Sequence, residues 1–118
     1  MNEIIENVRE YYGKILHSTA DLQSKACCCS PSAVSKEVKE ALSLIADEVV
    51  TRYYGCGSPL PPLLDGMTVL DLGCGSGLDV YVAAKLVGEH GQVIGLDMTQ
   101  EQLDVAQKYE EEHRQRFG

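Results

Sequence analysis

The sequence predicts an α/β fold: a β-α-β-α unit in its second half, preceded by a helical extension. Three observations carry this. An apolar run, Val69-Leu70 with Leu72, stops at Gly73, Gly75 and Gly77, and a segment of helical character starts at Leu78. A second apolar run, Val93-Ile94-Gly95-Leu96, ends at Asp97 and is again followed by a helical pattern. Upstream, two stretches carry their apolar residues at helical rather than alternating spacing.

Taken in order, residues 3–16 place Ile4, Ile5, Val8, Tyr11, Tyr12 and Ile15 on one helical stripe, weakened at Gly13. Residues 22–34 have no clean period and read as a loop. From Ser35, an N-cap, one helix is expected with Val38, Ala41, Leu42, Ile45 and Val49 inward and Gly55 just past its end. Ser58-Pro59-Leu60-Pro61-Pro62 continues neither a helix nor a central strand. It sets a boundary between a helical extension with a cysteine loop, 1–62, and the β-α-β-α part, 63–118. Asp65-Gly66 turns the chain into a strand over Thr68–Asp71. A helix over Leu78–Val87 follows, with Val80, Ala83, Ala84 and Val87 inward and Gly88 as its stop. After the turn Glu89-His90-Gly91 comes a strand over Gln92–Leu96. Thr99 opens the last helix, with Gln102 completing a capping box. Leu103 and Ala106 continue its period, and residues 110–116 are read as its solvated end. His17, His90 and His113 are all expected at the surface. Two strands leave both sheet edges unpaired and half a ligand crevice missing, so the chain is expected to be a fragment of a larger enzyme.

Composition narrows the function classes. At 118 residues the chain is one domain or part of one. No apolar run approaches the ~20 residues of a membrane span, and the acidic N-terminus lacks the basic segment of a secretory signal. Ten basic against eighteen acidic residues give a net charge of −8, which argues against a nucleic-acid partner. A neutral or cationic small substrate fits that charge. Five cysteines, three of them consecutive, do not form an extracellular disulfide pattern and place the chain in a reducing cytoplasm.

The glycine loop sets the chemistry. Glycines let a ligand lie against the main chain, and the helix start offers free N–H groups. The spacing Gly73-x-Gly75-x-Gly77 is not the dinucleotide pattern, whose third glycine would replace Leu78. Asp71 would repel a pyrophosphate but suits an ammonium group. Asp97, 24 residues after Gly73, suits ribose hydroxyls. The competing reading is that both acids only cap helices. An Asp-x-Gly-x-Gly-x-Gly loop after a strand resembles the first motif of class I S-adenosylmethionine methyltransferases, which have a Rossmann-like fold. The cysteines lack the paired spacing of a structural zinc site. A soft trivalent metalloid such as arsenite, trigonal and neutral, fits such thiols better. The competing reading makes Cys28 and Cys29 incidental and Cys74 a small filler.

Together, Tyr11-Tyr12-Gly13, Ala20-Asp21-Leu22-Gln23, Cys27, Glu40-Ala41-Leu42, Arg52-Tyr53-Tyr54-Gly55-Cys56-Gly57, Leu70 through Gly77, and Gly95-Leu96-Asp97-Met98-Thr99 resemble the arsenite methyltransferases. The similarity runs in order through nearly the whole chain. It implies S-adenosyl-L-methionine as cofactor, arsenite or its thiol conjugates as substrate, and a thiol reductant such as glutathione or thioredoxin. It further implies Cys56 as arsenic ligand, Cys27 as the thiol that pairs with it in a redox cycle, and Tyr54 as an aromatic near the cofactor. Asp71, Gly73, Gly75 and Gly77 match the methionine-binding loop, and Asp97 with Met98 the ribose and adenine contacts. Two further arsenic-binding cysteines of the family have no counterpart up to Gly118. The implied reaction needs no general base, since thiolate-held arsenic offers its lone pair in line to a sulfonium methyl. Two rivals are a non-enzymatic thiol module for metalloid and a methyltransferase for an organic small molecule.

Overall fold

The computed structural model describes residues 2–15, 35–52 and 60–118. The chain runs α1 (Asn2–Glu10), a π-helical turn (Tyr11–Ile15), α2 (Lys36–Ser43), α3 (Asp47–Thr51), β1 (Thr68–Leu72), α4 (Leu78–Val87), β2 (Gln92–Leu96), α5 (Gln100–Lys108) and α6 (Glu110–Phe117). β1 and β2 pair in parallel, Thr68 opposite Gln92 through Leu72 opposite Leu96, with α4 as the crossover. Asp71 therefore lies inside β1 opposite Gly95, and the strand runs one residue beyond its expected end.

α4 is apolar around most of its circumference, as a helix covered on more than one side must be. One side meets the sheet, where a Cβ on Gly95 would lie 3.0 Å from Val80 Cγ2. The other meets the extension: Leu78, Tyr81 and Val82 form a core with Ala41, Ile45 and Val49, joined by Val105 of α5. This changes the expected inward face. Ala83 and Val87 are buried as expected, but Val80 and Ala84 are only half-buried, while Leu78, Tyr81 and Val82 go deep beneath α2 and α3.

Three helices depart from their expected form, each for a tertiary reason. The helix expected from Ser35 onward is two, broken at Ala46, whose backbone turns extended (φ −60°, ψ 137°). The Ala46 N–H donates to His113 Nε2 at 2.9 Å instead of continuing a helical ladder. Ser35 does cap α2, accepting from the Val38 N–H at 3.3 Å; Gly55 lies outside the described residues. The N-terminal helix changes from α to π at Tyr11, and Gly13 sits in the π turn where the backbone closes on α5. A Cβ there would fall 2.7 Å from Glu101 Oε2 and 3.0 Å from Thr99 Cγ2. The last helix breaks at Tyr109, and its capping box does not form. Asp97 Oδ1 accepts the Thr99 N–H at 2.8 Å, and Gln102 turns away to donate through Nε2 to the Tyr12 carbonyl at 3.4 Å.

α6 is no solvated tail, and His113 is not at the surface. His113 and Phe117, four apart, share an inward face, while Arg114–Glu110 and Arg116–Glu112 pair along the outside. The imidazole is 1% exposed, lying 3.9 Å from the Tyr81 ring and stacked on Phe117. Burial holds its pKa below the ordinary histidine value. His90 is exposed in its turn, and His17 lies outside the described residues. No helix among the described residues is long and apolar enough to cross a membrane.

Candidate functional site

The loop between β1 and α4 takes its shape from glycine. Gly73, Gly75 and Gly77 have φ of 76°, 55° and 93°, a region that side chains with a Cβ rarely enter. Gly73 and Gly75 face open space, with nothing within 4 Å of an added Cβ. Gly77 faces inward, where a Cβ would stand 3.2 Å from both Ala106 Cβ and Tyr81 Cε2. The first two keep the main chain bare towards a cleft; the third lets α4 pack against α5.

Main-chain and side-chain bonds fix the loop on four sides. The Leu96 carbonyl accepts from the Gly73 and Cys74 N–H groups at 2.7 and 3.0 Å. Asp97 Oδ2 accepts the Gly75 N–H at 2.9 Å, so this carboxylate spans the loop and the start of α5. Each oxygen retains lone-pair capacity for another donor. Ser76, 2% exposed, donates from Oγ to the Val49 carbonyl at 2.9 Å and ties the loop to α3.

A cleft of about 700 Å³ opens above Gly73 and Gly75. Asp97, Met98 and Thr99 form one wall, and Val8 and Tyr12 of the N-terminal segment lean over it, with Arg52 and Asp79 also at its border. Gln102 lines it too. That side chain is 2% exposed, and its Oε1 has no hydrogen-bond partner among the described residues. A larger groove of about 900 Å³ lies between α4, β2, α5 and α6, and Gly77 borders that one rather than the cleft. Among the residues expected to bind a cofactor, the structure thus gathers Gly73, Gly75, Asp97 and Met98 around one space. Asp71 does not line it. Its carboxyl is held above the usual range by burial and then by the Asp97 charge. Cys27, Cys56 and Tyr54 lie outside the described residues.

Cys74 stands between cleft and groove, half-buried, its thiol raised to about 11 by burial and by the Asp97 and Asp71 charges. Such a thiol stays protonated at neutral pH and is a poor soft-ion ligand, which agrees with its reading as a filler. No group of three or more metal-ligating side chains occurs among the described residues. Tyr12, Arg52, Asp79 and Gln102 were not singled out as site residues from the sequence. Only Tyr12 carried a signal, in Tyr11-Tyr12-Gly13; the others reach the cleft through folding.

Strand, glycine loop, crossover helix and acid at the end of the second strand make this a partial class I methyltransferase fold, and residues 63–117 match the methyltransferase domain family. The arsenite methyltransferase of Aquipseudomonas alcaligenes is 52% identical over 113 residues, 96% of this chain and 32% of that protein. That of Homo sapiens is 47% identical over 116 residues, 98% of this chain and 31% of that protein. Among solved structures, an arsenic(III) S-adenosylmethionine methyltransferase from Chlamydomonas reinhardtii superposes with a TM-score of 0.63 at 53% identity, over 64% of this chain and 25% of that one. The chain is homologous to the arsenite methyltransferases. It spans about a third of the length of the curated relatives it matches.

Proposed function

We propose that this chain is the cofactor-binding part of an S-adenosylmethionine-dependent arsenite methyltransferase. The observation that carries the reading is a left-handed glycine loop open to a cleft, in a chain whose identity to arsenite methyltransferases extends over 96% of its residues. The cleft suits the cofactor chemically. Bare main chain at Gly73 and Gly75 admits a close ligand, and the Asp97 carboxylate offers acceptors for hydroxyls. The buried, unpartnered Gln102 Oε1 is an acceptor for a ligand N–H. S-adenosylmethionine, when bound, supplies an electrophilic methyl group on a sulfonium.

The chain's own task is to hold and to exclude. Gly73, Gly75, Asp97 and Met98 fix the ligand from below, while Val8 and Tyr12 shield it from water. Asp71, half-buried behind the loop, adds negative charge favourable to an ammonium. Cys56 is assigned as arsenic ligand and Cys27 as the thiol that pairs with it, with Tyr54 beside the cofactor. Glutathione or thioredoxin in a reducing cytoplasm would restore the thiols.

Equilibrium dialysis tests this directly. The chain takes up labelled S-adenosylmethionine, and Asp97→Ala loses that uptake while Cys56→Ser keeps it. Cys56→Ser instead loses uptake of arsenite. A chain that binds arsenite but never S-adenosylmethionine is a thiol module, and the methyltransferase reading fails.

A further inference from the structure

The two faces of the sheet are not alike. α4 covers the face that carries Val69, Asp71, Val93 and Gly95. On the opposite face Leu70, Leu72, Ile94 and Leu96 are 59, 70, 46 and 59% exposed. They are paired across the strands, Leu70 with Ile94 and Leu72 with Leu96, so the four aliphatic side chains make one continuous patch. Parallel sheets are covered on both faces, because each crossover lays a helix on one of them. Among the described residues nothing covers this patch, and neither outer strand edge has a partner.

Handedness says from which side the cover comes. The step from β1 to β2 places α4 on one face. A strand added beyond β2 continues in the same direction, and a right-handed crossover puts its helix on that same face. Only strands added beyond β1, reached in the reverse direction, bring helices to the bare face. The length needed for several such units is what separates this chain from its relatives, of which it spans 31 to 32%.

We propose that the Leu70–Leu72–Ile94–Leu96 face is an assembly surface. Its occupant is polypeptide equivalent to the part of the relatives' length that this chain does not span, adding parallel strands at the free edge of β1 and laying amphipathic helices on the patch. A second copy of this chain is the lesser fit, because face-to-face stacking of two such sheets leaves every strand edge unpaired. The proposal rests on packing and not on methyl transfer, so the two fail separately.

The test joins or mixes this chain with the part of the Aquipseudomonas alcaligenes relative lying outside the 113 matched residues. Hydroxyl-radical footprinting then reads the four side chains. Their modification is expected to fall severalfold against the chain alone, while Ile4, already exposed on α1, is unchanged. Leu72→Glu leaves unfolding of the lone chain unaltered, since that side chain touches little in it. In the mixture it weakens association by roughly a hundredfold, because a carboxylate is buried without a partner. The proposal is overturned if the joined protein folds with the patch still fully modified. Failure of the joined protein to fold overturns it too. So does sedimentation of the lone chain as a dimer whose patch is protected, which assigns the face to a second copy. S-adenosylmethionine uptake by the same samples reports only on the functional reading.

Discussion

Two junctions join the helical segment 35–52 to the α/β unit, and they are built from different materials. At the glycine loop the link is a single hydroxyl, Ser76 to the Val49 carbonyl, beside an open cleft. At α6 the link is dense. The Ala46 N–H meets the buried His113, and Arg116 Nη1 donates to the Leu44 carbonyl at 3.0 Å. Lys108 and Tyr109 both reach Glu48, whose carboxyl those bonds hold below the usual range. The lesson is a division of labour. The dense junction fixes the extension on the sheet, which leaves the loop junction free to stay polar and spacious where a ligand enters.

If that division holds, the greatest damage comes from the dense side. His113→Ala removes a fully buried ring and leaves the Ala46 N–H without its acceptor, at a cost of about 3 kcal/mol. Denaturant unfolding followed by circular dichroism checks the value. The pH dependence sharpens the point. Nε2 accepts a hydrogen bond and so carries no proton, and the folded pKa lies below the unfolded value of about 6.5. This contribution to stability is complete above about pH 6.5, and it declines as pH falls from there towards the folded pKa. The variant should lose that slope. A slope that persists in His113→Ala would place its origin elsewhere, and Glu48 then becomes the leading source, with losses only at lower pH.

The loop side is expected to be sensitive for a conformational reason. Gly77→Ala places a Cβ at φ 93° and against Ala106 and Tyr81, for about 2 kcal/mol. Gly66→Ala is the control. Its φ is 72°, but nothing lies within 4 Å of the added atom, so only the conformational cost of about 1 kcal/mol remains. Equal losses in the two variants would show that the contact with α5 carries no weight.

The same contrast explains what could be read from the sequence. The limits of α4 and β2 were readable residue by residue, since Gly77 and Gly88 bound one and turn residues bound the other. So were the loop glycines and Asp97, whose roles depend on neighbours a short way along the chain. The break at Ala46, the burial of His113 and the division at Tyr109 were not. Each depends on contacts across the fold, 67 residues in the case of Ala46 and His113, and a helical period does not reveal what a helix will meet. The capping box failed for a related reason. Asp97 reached the Thr99 N–H first, and Gln102 found Tyr12 across 90 residues of sequence. Of the cleft, the floor was visible and the cover was not: Val8, Tyr12 and Gln102 reach it only once the N-terminal segment has docked.

The smallest expected effect isolates what a purely local signal contributes. Ser35 caps α2 at an exposed site, and its hydroxyl accepts from the Val38 N–H with no partner from either junction. Ser35→Ala removes that acceptor and should cost about 0.5–1 kcal/mol, with Ser35→Asp restoring most of it. The midpoint of denaturant unfolding should move without a change in slope, because no apolar surface is uncovered. Thr99, the corresponding position of α5, makes no side-chain cap bond, so Thr99→Ser keeps the Asp97 bond to the main chain and tests only the packing of a buried methyl group. A larger loss at Ser35 than at His113 would reverse the comparison. Stability would then reside in the local helix of the extension rather than in its seat on α6.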